Sequence, residues 1–252
     1  MKRFIIQSNA IRIILITLFW LSIYQMLYMY INNDIYIPSI QSILKETTDI
    51  FTNKEKLIDI IFTLGRMIIG TTISIVAAIV IAVICGSKNY MFEFIKPAMA
   101  ILKTAPSIVL ILISLIWFDA ENLPVIICVA MCLPIMFSNI VYGILNIDKV
   151  YIDFVKVYNI KRKNVYSYLY VSLLKPYFIS GVNTIIGISF KVIIATEILA
   201  LPDYGIGKRI YDSKLYLKTD EMLAWTVIVI IASLLIEKYF NKFIRKKVEV
   251  IV

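Results

Sequence analysis

Long apolar runs alternate with short polar and basic stretches along this chain of 252 residues. A helix needs about 20 apolar residues to cross the hydrocarbon core of a bilayer, and six runs come close to that length or exceed it. The spans predicted from these runs are 13–31, 57–84, 104–118, 123–145, 176–201 and 222–236. The pattern therefore predicts an all-α polytopic membrane protein with six transmembrane helices in a single domain, 1–252.

The composition agrees with this pattern. Hydrophobic residues make up 60% of the chain and charged residues 17%, and the mean hydropathy is +0.85. Soluble domains contain about 45–50% apolar and about 25% charged residues, so this chain is not an ordinary soluble domain. A formal charge of +9 would indicate nucleic-acid binding in a soluble protein, but here the basic residues stand at the ends of the apolar runs, where they set orientation.

Basic residues also predict the topology. They are concentrated near the N-terminus, in 86–103, in 146–176 and near the C-terminus. Because cytoplasmic loops of membrane proteins carry an excess of Lys and Arg, we expect both termini to lie in the cytoplasm. The loops expected outside the cell are 32–56, 119–122 and 202–221. The predicted location is the cell membrane, with multiple passes.

Several kinds of chemistry are absent from the sequence. The chain has no histidine, which removes the commonest general base and metal ligand. Cys85, Cys128 and Cys132 fall in or at the edge of apolar runs, so we expect buried small hydrophobic residues and no metal site or disulfide. The glycines and lysine of 205–209 lack the spacing and hydroxyl of a phosphate-binding G-x-x-x-x-G-K-[ST] loop. We therefore predict no cofactor and no catalytic residues, and place any ATP hydrolysis on another chain.

A polar and basic stretch, 151–176, interrupts the apolar pattern. Asp148 can cap a short amphipathic helix over 149–158, and Asn159 suits its C-terminal end. This helix carries Phe154, Val155, Val157 and Tyr158 on one side. A second apolar series then begins at Val165, and Pro176 is expected in the first turn of the helix that follows.

The stretch resembles the EAA loop of binding-protein-dependent ABC importer permeases, whose pattern is E-A-A-x3-G-x9-I-x-L-P. Asp153, Phe154 and Val155 stand at the E-A-A positions, and Asn159 stands at the glycine. Leu169 stands at the isoleucine, followed by Val171 and Ser172 at the leucine and proline. Further segments that resemble the family in the same order are TLGRMIIG (63–70), LKTAPSIVLILISLIWF (102–118), SNIVYGILNID (138–148), ATEIL (195–199) and DYGIGKRI (203–210). The resemblance covers about 57–247 and is greatest to the taurine, aliphatic sulfonate, nitrate and thiamine-precursor branch.

This resemblance implies the permease subunit of an ABC importer, which forms a homodimer with the pathway between its subunits. It also implies two cytosolic ATPase subunits and an extracytoplasmic solute-binding protein as partners. The loop 146–176 then docks the ATPase through a coupling helix between spans four and five. The residues expected to make this contact are Asp153, Phe154, Val155, Val157, Tyr158 and Asn159. Lys161, Arg162 and Lys163 either set topology or contact the ATPase. Two other classes remain open, a membrane-embedded enzyme or lipid-handling protein and a non-transporting assembly factor.

Two charged residues fall within or near the end of the fifth span. Lys191 lies near its middle, where a cation costs about 2.5–3.5 kcal/mol on insertion scales, so it should face protein or a wet cavity. It either lines the translocation pathway or pairs at a helix interface. Glu197 is six residues further on, a poor partner for Lys191 on the same helix, and could shape the mouth or gate of the pathway. Gly143, Gly181 and Gly187 are expected to permit close helix packing.

Overall fold

The computed structural model describes residues 2–87, 89–158 and 165–248, and the regular elements in this part of the chain are all helical. We number the α-helices in chain order. They are α1 (Lys2–Ile31), α2 (Ile40–Thr52), α3 (Lys54–Ser87), α4 (Asn89–Thr104), α5 (Ser107–Ser114), α6 (Leu123–Leu145), α7 (Lys149–Val157), α8 (Val171–Ala200), α9 (Ile206–Leu215) and α10 (Thr219–Val248). A π-helical segment, Val165–Tyr170, leads directly into α8.

Five of these helices are long and apolar enough to cross a membrane, and a bent pair brings the number to six if it counts as one span. The all-α polytopic architecture predicted from the sequence is therefore confirmed at this level. The fourth predicted span coincides with α6, Leu123–Leu145. The first, second and sixth spans lie within longer helices, α1, α3 and α10. The orientation of the termini stays a prediction.

The third predicted span was wrong in its bounds. The expected loop 86–103 contains α4, which is followed by a bend of 98° and the short helix α5. Phe92, Ile95 and Met99 repeat at helical spacing and pack against the hydrophobic core, whereas the three lysines of this stretch had favoured a loop. Pro106 stands at the bend, where it begins α5 without a side-chain cap. The loop was predicted from the lysines of 86–103, although the apolar residues of the same stretch already had helical spacing.

The expected position of Pro176 was also wrong. Pro176 lies inside α8, five residues after the helix begins at Val171. A proline in a helix interior removes one backbone hydrogen bond and is tolerated in membrane helices where local π-helical adjustments satisfy the freed groups. The fifth span consequently begins earlier than the sequence suggested.

The chain forms two compact units. The first comprises 1–57 and 209–228, and the second comprises 58–208 and 229–252. In the first unit, Lys56 links three stretches of chain, because its ammonium group lies 2.9 Å from Asp49, 3.7 Å from Glu46 and 2.8 Å from Glu221. The hydroxyl of Tyr24 also donates to the carbonyl of Pro38 at 2.8 Å.

The second unit contains the main hydrophobic core, in which α6 packs against α8. Two of the predicted packing glycines lie at this contact: a Cβ at Gly143 would approach Tyr177 to 2.7 Å, and one at Gly181 would approach Met136 to 2.7 Å. At Gly187 a Cβ would meet nothing within 4 Å among the described residues, so a packing role for this glycine stays a prediction. The three cysteines are buried as expected, and those at 128 and 132 lie 3.9 Å apart, sulfur to sulfur.

Candidate functional site

Glu197 is fully buried near the C-terminal end of α8, within the second unit. Its Oε1 lies 2.7 Å from Nη1 of Arg66, a residue of α3 that is also buried. The hydroxyl of Thr63, one turn earlier on α3, is 3.0 Å from both carboxylate oxygens. A buried carboxylate is stable only when it is paired and its remaining lone pairs are hydrogen-bonded, and this site meets both conditions.

Arg66 also connects Glu197 to the segment before α6. Its Nη2 donates to Oε2 of Glu121 at 2.6 Å, and its Nη1 donates to the carbonyl of Tyr204 at 2.6 Å. The Arg66 side chain is 7% exposed, while that of Glu121 is 44% exposed. The Arg66 guanidinium therefore joins the fully buried carboxylate of Glu197 to the partly exposed carboxylate of Glu121.

The segment 203–207, which follows α8 and includes the first two residues of α9, is held almost entirely through its backbone. The N–H of Asp203 donates to Glu121 at 2.5 Å, and the N–H of Gly205 donates to Oδ1 of Asp59 at 2.8 Å. The next two N–H groups donate to the Thr63 hydroxyl and to Oε2 of Glu197, each at 2.9 Å. Side chains of α3, α8 and the segment before α6 thus bind this segment residue by residue.

Two glycines make this approach possible. Gly205 has a φ of +156°, and a Cβ there would lie 2.7 Å from the Glu197 carboxyl carbon. A Cβ at Gly207 would lie 2.5 Å from the Cβ of Glu197 and 2.6 Å from the carbonyl oxygen of Ile194. Because a contact with backbone cannot relax as a flexible side chain can, only glycine fits at 207. We call Asp59, Thr63, Arg66, Glu121 and Glu197 the Glu197 cluster.

The Glu197 cluster holds the segment 203–207 in place. Among residues 2–87, 89–158 and 165–248, no group of three or more His, Cys, Asp or Glu side chains could hold a metal ion. Sequence reasoning had singled out Glu197 but assigned no role to its partners. A signal was present, because Arg66 is a cation inside the second apolar run and needs a carboxylate as partner there.

The predicted coupling residues lie on and just after α7. The N–H of Val150 donates to Oδ1 of Asp148 at 3.0 Å, so Asp148 starts the helix as expected. Phe154, Val157 and Tyr158 are 51%, 78% and 67% exposed, and the rings of Phe154 and Tyr158 are in contact, with centroids 4.5 Å apart. Val155 is half-buried and Asp153 is exposed.

Four residues named from the sequence lie outside the described part of the chain: Asn159, Lys161, Arg162 and Lys163. The remaining named residue, Lys191, is exposed on α8. Within the described residues it makes no ion pair, whereas Glu197 pairs with Arg66. The structure therefore places Lys191 and Glu197 in different surroundings on one helix, and a pathway role for Lys191 stays a prediction.

Comparison with known proteins places these features in context. Residues 70–244 match the model of a family described as "Binding-protein-dependent transport system inner membrane component". The chain is 26% identical over 152 residues to the nitrate import permease protein NrtB of Leptolyngbya laminosa, covering 60% of this chain and 54% of that protein. It is 26% identical over 164 residues to NrtB of Synechococcus elongatus, covering 64% of this chain and 58% of that protein. The aligned part thus spans just over half the length of these two relatives.

A further relative is the putative aliphatic sulfonates transport permease protein SsuC of Bacillus subtilis, 19% identical over 183 residues, which cover 72% of this chain and 66% of that protein. Among solved structures, a chain of the MetNI methionine ABC transporter in inward-facing conformations matches with a TM-score of 0.56. The match covers 82% of this chain and 94% of that one at 13% identity. A likeness at that identity concerns the fold.

Proposed function

Because the chain belongs to the family of binding-protein-dependent transport system inner membrane components, we propose that it is the permease subunit of an ABC importer. In this role it moves a small solute that an extracytoplasmic binding protein delivers, and a separate ATPase subunit drives the movement. The observation that carries the proposal is the family match over 70–244, which includes the bent pair, α6, α7, α8 and most of α10.

The ATPase is proposed to bind α7. The support is an apolar strip on a short helix whose Phe154, Val157 and Tyr158 side chains are more than half exposed. Exposed apolar side chains on a short helix within a basic stretch are suited to burial in a hydrophobic groove of a partner. The six basic residues of 146–176 favour a cytoplasmic location for this helix, where an ATPase is found.

The two termini are proposed to lie in the cytoplasm, and the functional unit is proposed to be a homodimer. With this topology the C-terminal end of α8 and the Glu197 cluster lie toward the outside of the cell. Glu197 then shapes the outer end of the pathway by fixing segment 203–207, since it accepts a hydrogen bond from Gly207. Asp59 acts in the same way on Gly205.

The solute is proposed to be a small anion. The relatives named above are a nitrate permease and a putative sulfonate permease, and Lys191 is an exposed cation within a candidate span. A lysine that lines a pathway between two subunits attracts anions and repels cations. This part of the proposal rests on Lys191 facing the pathway.

Purification of the tagged full-length protein from the membrane of its own host tests the proposed function. We expect an ATPase that carries a phosphate-binding loop to co-purify in equal amount with the permease. In proteoliposomes, a secreted binding protein should stimulate ATP hydrolysis by this complex. A permease that purifies without a nucleotide-hydrolysing subunit under conditions that keep it folded would overturn the proposal.

A further inference from the structure

A groove of about 460 Å³ lies in the second unit, between α3, α6 and the start of α8, away from the Glu197 cluster. Its volume is within the ~300–1,000 Å³ of typical ligand pockets. The residues that line it include Ile79, Val83, Ile140, Leu174, Lys175 and Phe178, together with Tyr170 and Val171. Apart from the Lys175 ammonium group and the Tyr170 hydroxyl these side chains are apolar, so the groove has the walls of a hydrocarbon site with one cation among them.

The groove lies at one end of the helices. Val83 is four residues from the end of α3, Ile140 is in the last third of α6, and Leu174 is in the first turn of α8. The stretch 146–170 connects α6 to α8 at this end. Under the topology of the proposed function, on which this step rests, the groove therefore opens toward the cytoplasmic leaflet.

A groove with these walls selects hydrocarbon over water. Apolar cavities of proteins stay dry and bind apolar molecules, because water placed in them loses its hydrogen bonds. The three helices that form the groove are candidate membrane spans, so the groove lies where acyl chains are the surrounding solvent. An acyl chain is the molecule that fills such a space without loss of polar contacts.

Lys175 indicates that the lipid headgroup is anionic. Its side chain is half-buried at the groove, and six Lys or Arg residues stand against two Asp in the stretch 146–176. The cytoplasmic leaflet carries anionic lipids, and basic pockets between membrane helices on that side bind their headgroups. A lysine on a long apolar stem can pack beside an acyl chain while its ammonium group meets the phosphate.

We propose that this groove binds an anionic phospholipid of the cytoplasmic leaflet, with an acyl chain against Val83 and Leu174 and the phosphate group against Lys175. The other occupant of comparable shape is a helix of a second copy of the chain. The headgroup distinguishes these two occupants. Binding of an anionic lipid requires its phosphate group to meet the Lys175 cation, whereas packing of a second copy does not.

Native mass spectrometry of the full-length protein tests the proposal without its partners. The protein is released from vesicles that contain equal amounts of phosphatidylglycerol and phosphatidylcholine with identical acyl chains. We expect it to retain phosphatidylglycerol about fivefold over phosphatidylcholine, the ratio that one lysine near the surface supplies. Lys175→Gln should remove the preference, Lys175→Arg should keep it, and the exposed Lys103, which does not line the groove, should tolerate Lys103→Gln without change.

A second test of the proposal fills the groove with larger side chains. Val83→Trp, or the smaller change Ile79→Phe if the first variant does not fold, should lower retention of both lipids. Equal retention of the two lipids by the native protein, or a preference that survives Lys175→Gln, would overturn the proposal. A groove-filling variant that loses a dimer instead of a lipid would assign the groove to a second copy. Because no ATPase is used, failure of this test leaves the proposed function standing.

Discussion

Arg66 and Glu197 stand 131 residues apart in the chain and form a buried ion pair, with 2.7 Å between Nη1 and Oε1. The pair joins α3 to the C-terminal end of α8. Four other groups share it: the Thr63 hydroxyl and the Gly207 N–H bind the carboxylate, and the Tyr204 carbonyl and the Glu121 carboxylate accept from the guanidinium. The Glu197 carboxylate is thus fully buried, while the guanidinium extends to the partly exposed Glu121.

Removing one partner of this pair should destabilise the protein strongly. Arg66→Met leaves the Glu197 carboxylate buried without its cation, which costs about 3–5 kcal/mol in comparable cases. The double variant Arg66→Met with Glu197→Gln should lose less than the sum of the two single changes. Thermal unfolding midpoints of the purified protein in detergent measure the loss of stability in the single and double variants. Lys103→Met, at an exposed position, is the control. Additive effects would contradict the coupling.

Gly207→Ala should displace segment 203–207 from α8. The added Cβ would lie 2.6 Å from the backbone oxygen of Ile194, so the segment has to move and its hydrogen bond to Glu197 lengthens. We expect a lower unfolding midpoint and faster proteolysis within this segment. The matched control is Gly65→Ala, where a Cβ would meet nothing within 4 Å and where alanine favours the helix by about 1 kcal/mol. Equal behaviour of the two variants would count against the packing described.

Single cysteines should report the topology from intact cells. In a background without the three native cysteines, Thr48→Cys and Tyr216→Cys should react with an impermeant thiol reagent, because both positions are exposed and are predicted to lie outside. Asn146→Cys, exposed at the end of α6, should react only after the cells are permeabilised. Reaction at position 146 in intact cells would reverse the proposed orientation.

Lys191→Met tests whether the pathway selects anions. The methionine keeps the apolar stem of the side chain and removes its charge, so assembly should be unaffected while uptake of an anionic solute falls at least tenfold. Nitrate and taurine uptake by cells that depend on the transporter provide the measurement, with Lys103→Met as the charge-matched control. Normal uptake at normal protein level would assign Lys191 to helix packing.

The membrane spans could be predicted from sequence because a bilayer requires long apolar helices and the chain has few other apolar stretches. The predicted and observed bounds of α6 are identical. The Glu197 cluster could not be assembled in the same way, since Thr63 lies on α3, Glu121 before α6 and Glu197 on α8, and these elements meet only in the folded protein. Periodicity gives the face of a helix, but not the partner helix that the face contacts.

Two errors show where local signals were weighed wrongly. The lysines of 86–103 favoured a loop, although Phe92, Ile95 and Met99 form an apolar face that the structure buries partly. Pro176 was taken as a helix start because proline lacks an N–H, yet it lies inside α8, five residues after Val171. In both places an apolar series at helical spacing was already present in the sequence, and the lysines or the proline were given more weight.

The central claim, that this chain is a permease driven by a separate ATPase through α7, is tested most directly by Phe154→Asp. Phe154 is half exposed on α7, so the change should leave insertion and stability intact, while an unpaired carboxylate at a buried contact should abolish ATPase binding. The measurement is the amount of ATPase that co-purifies with the tagged permease, with Asp153→Ala as a milder control on the same helix. We predict at least a tenfold loss for Phe154→Asp and a smaller loss for Asp153→Ala. Full recovery of an active, binding-protein-stimulated complex with Phe154→Asp would contradict the account.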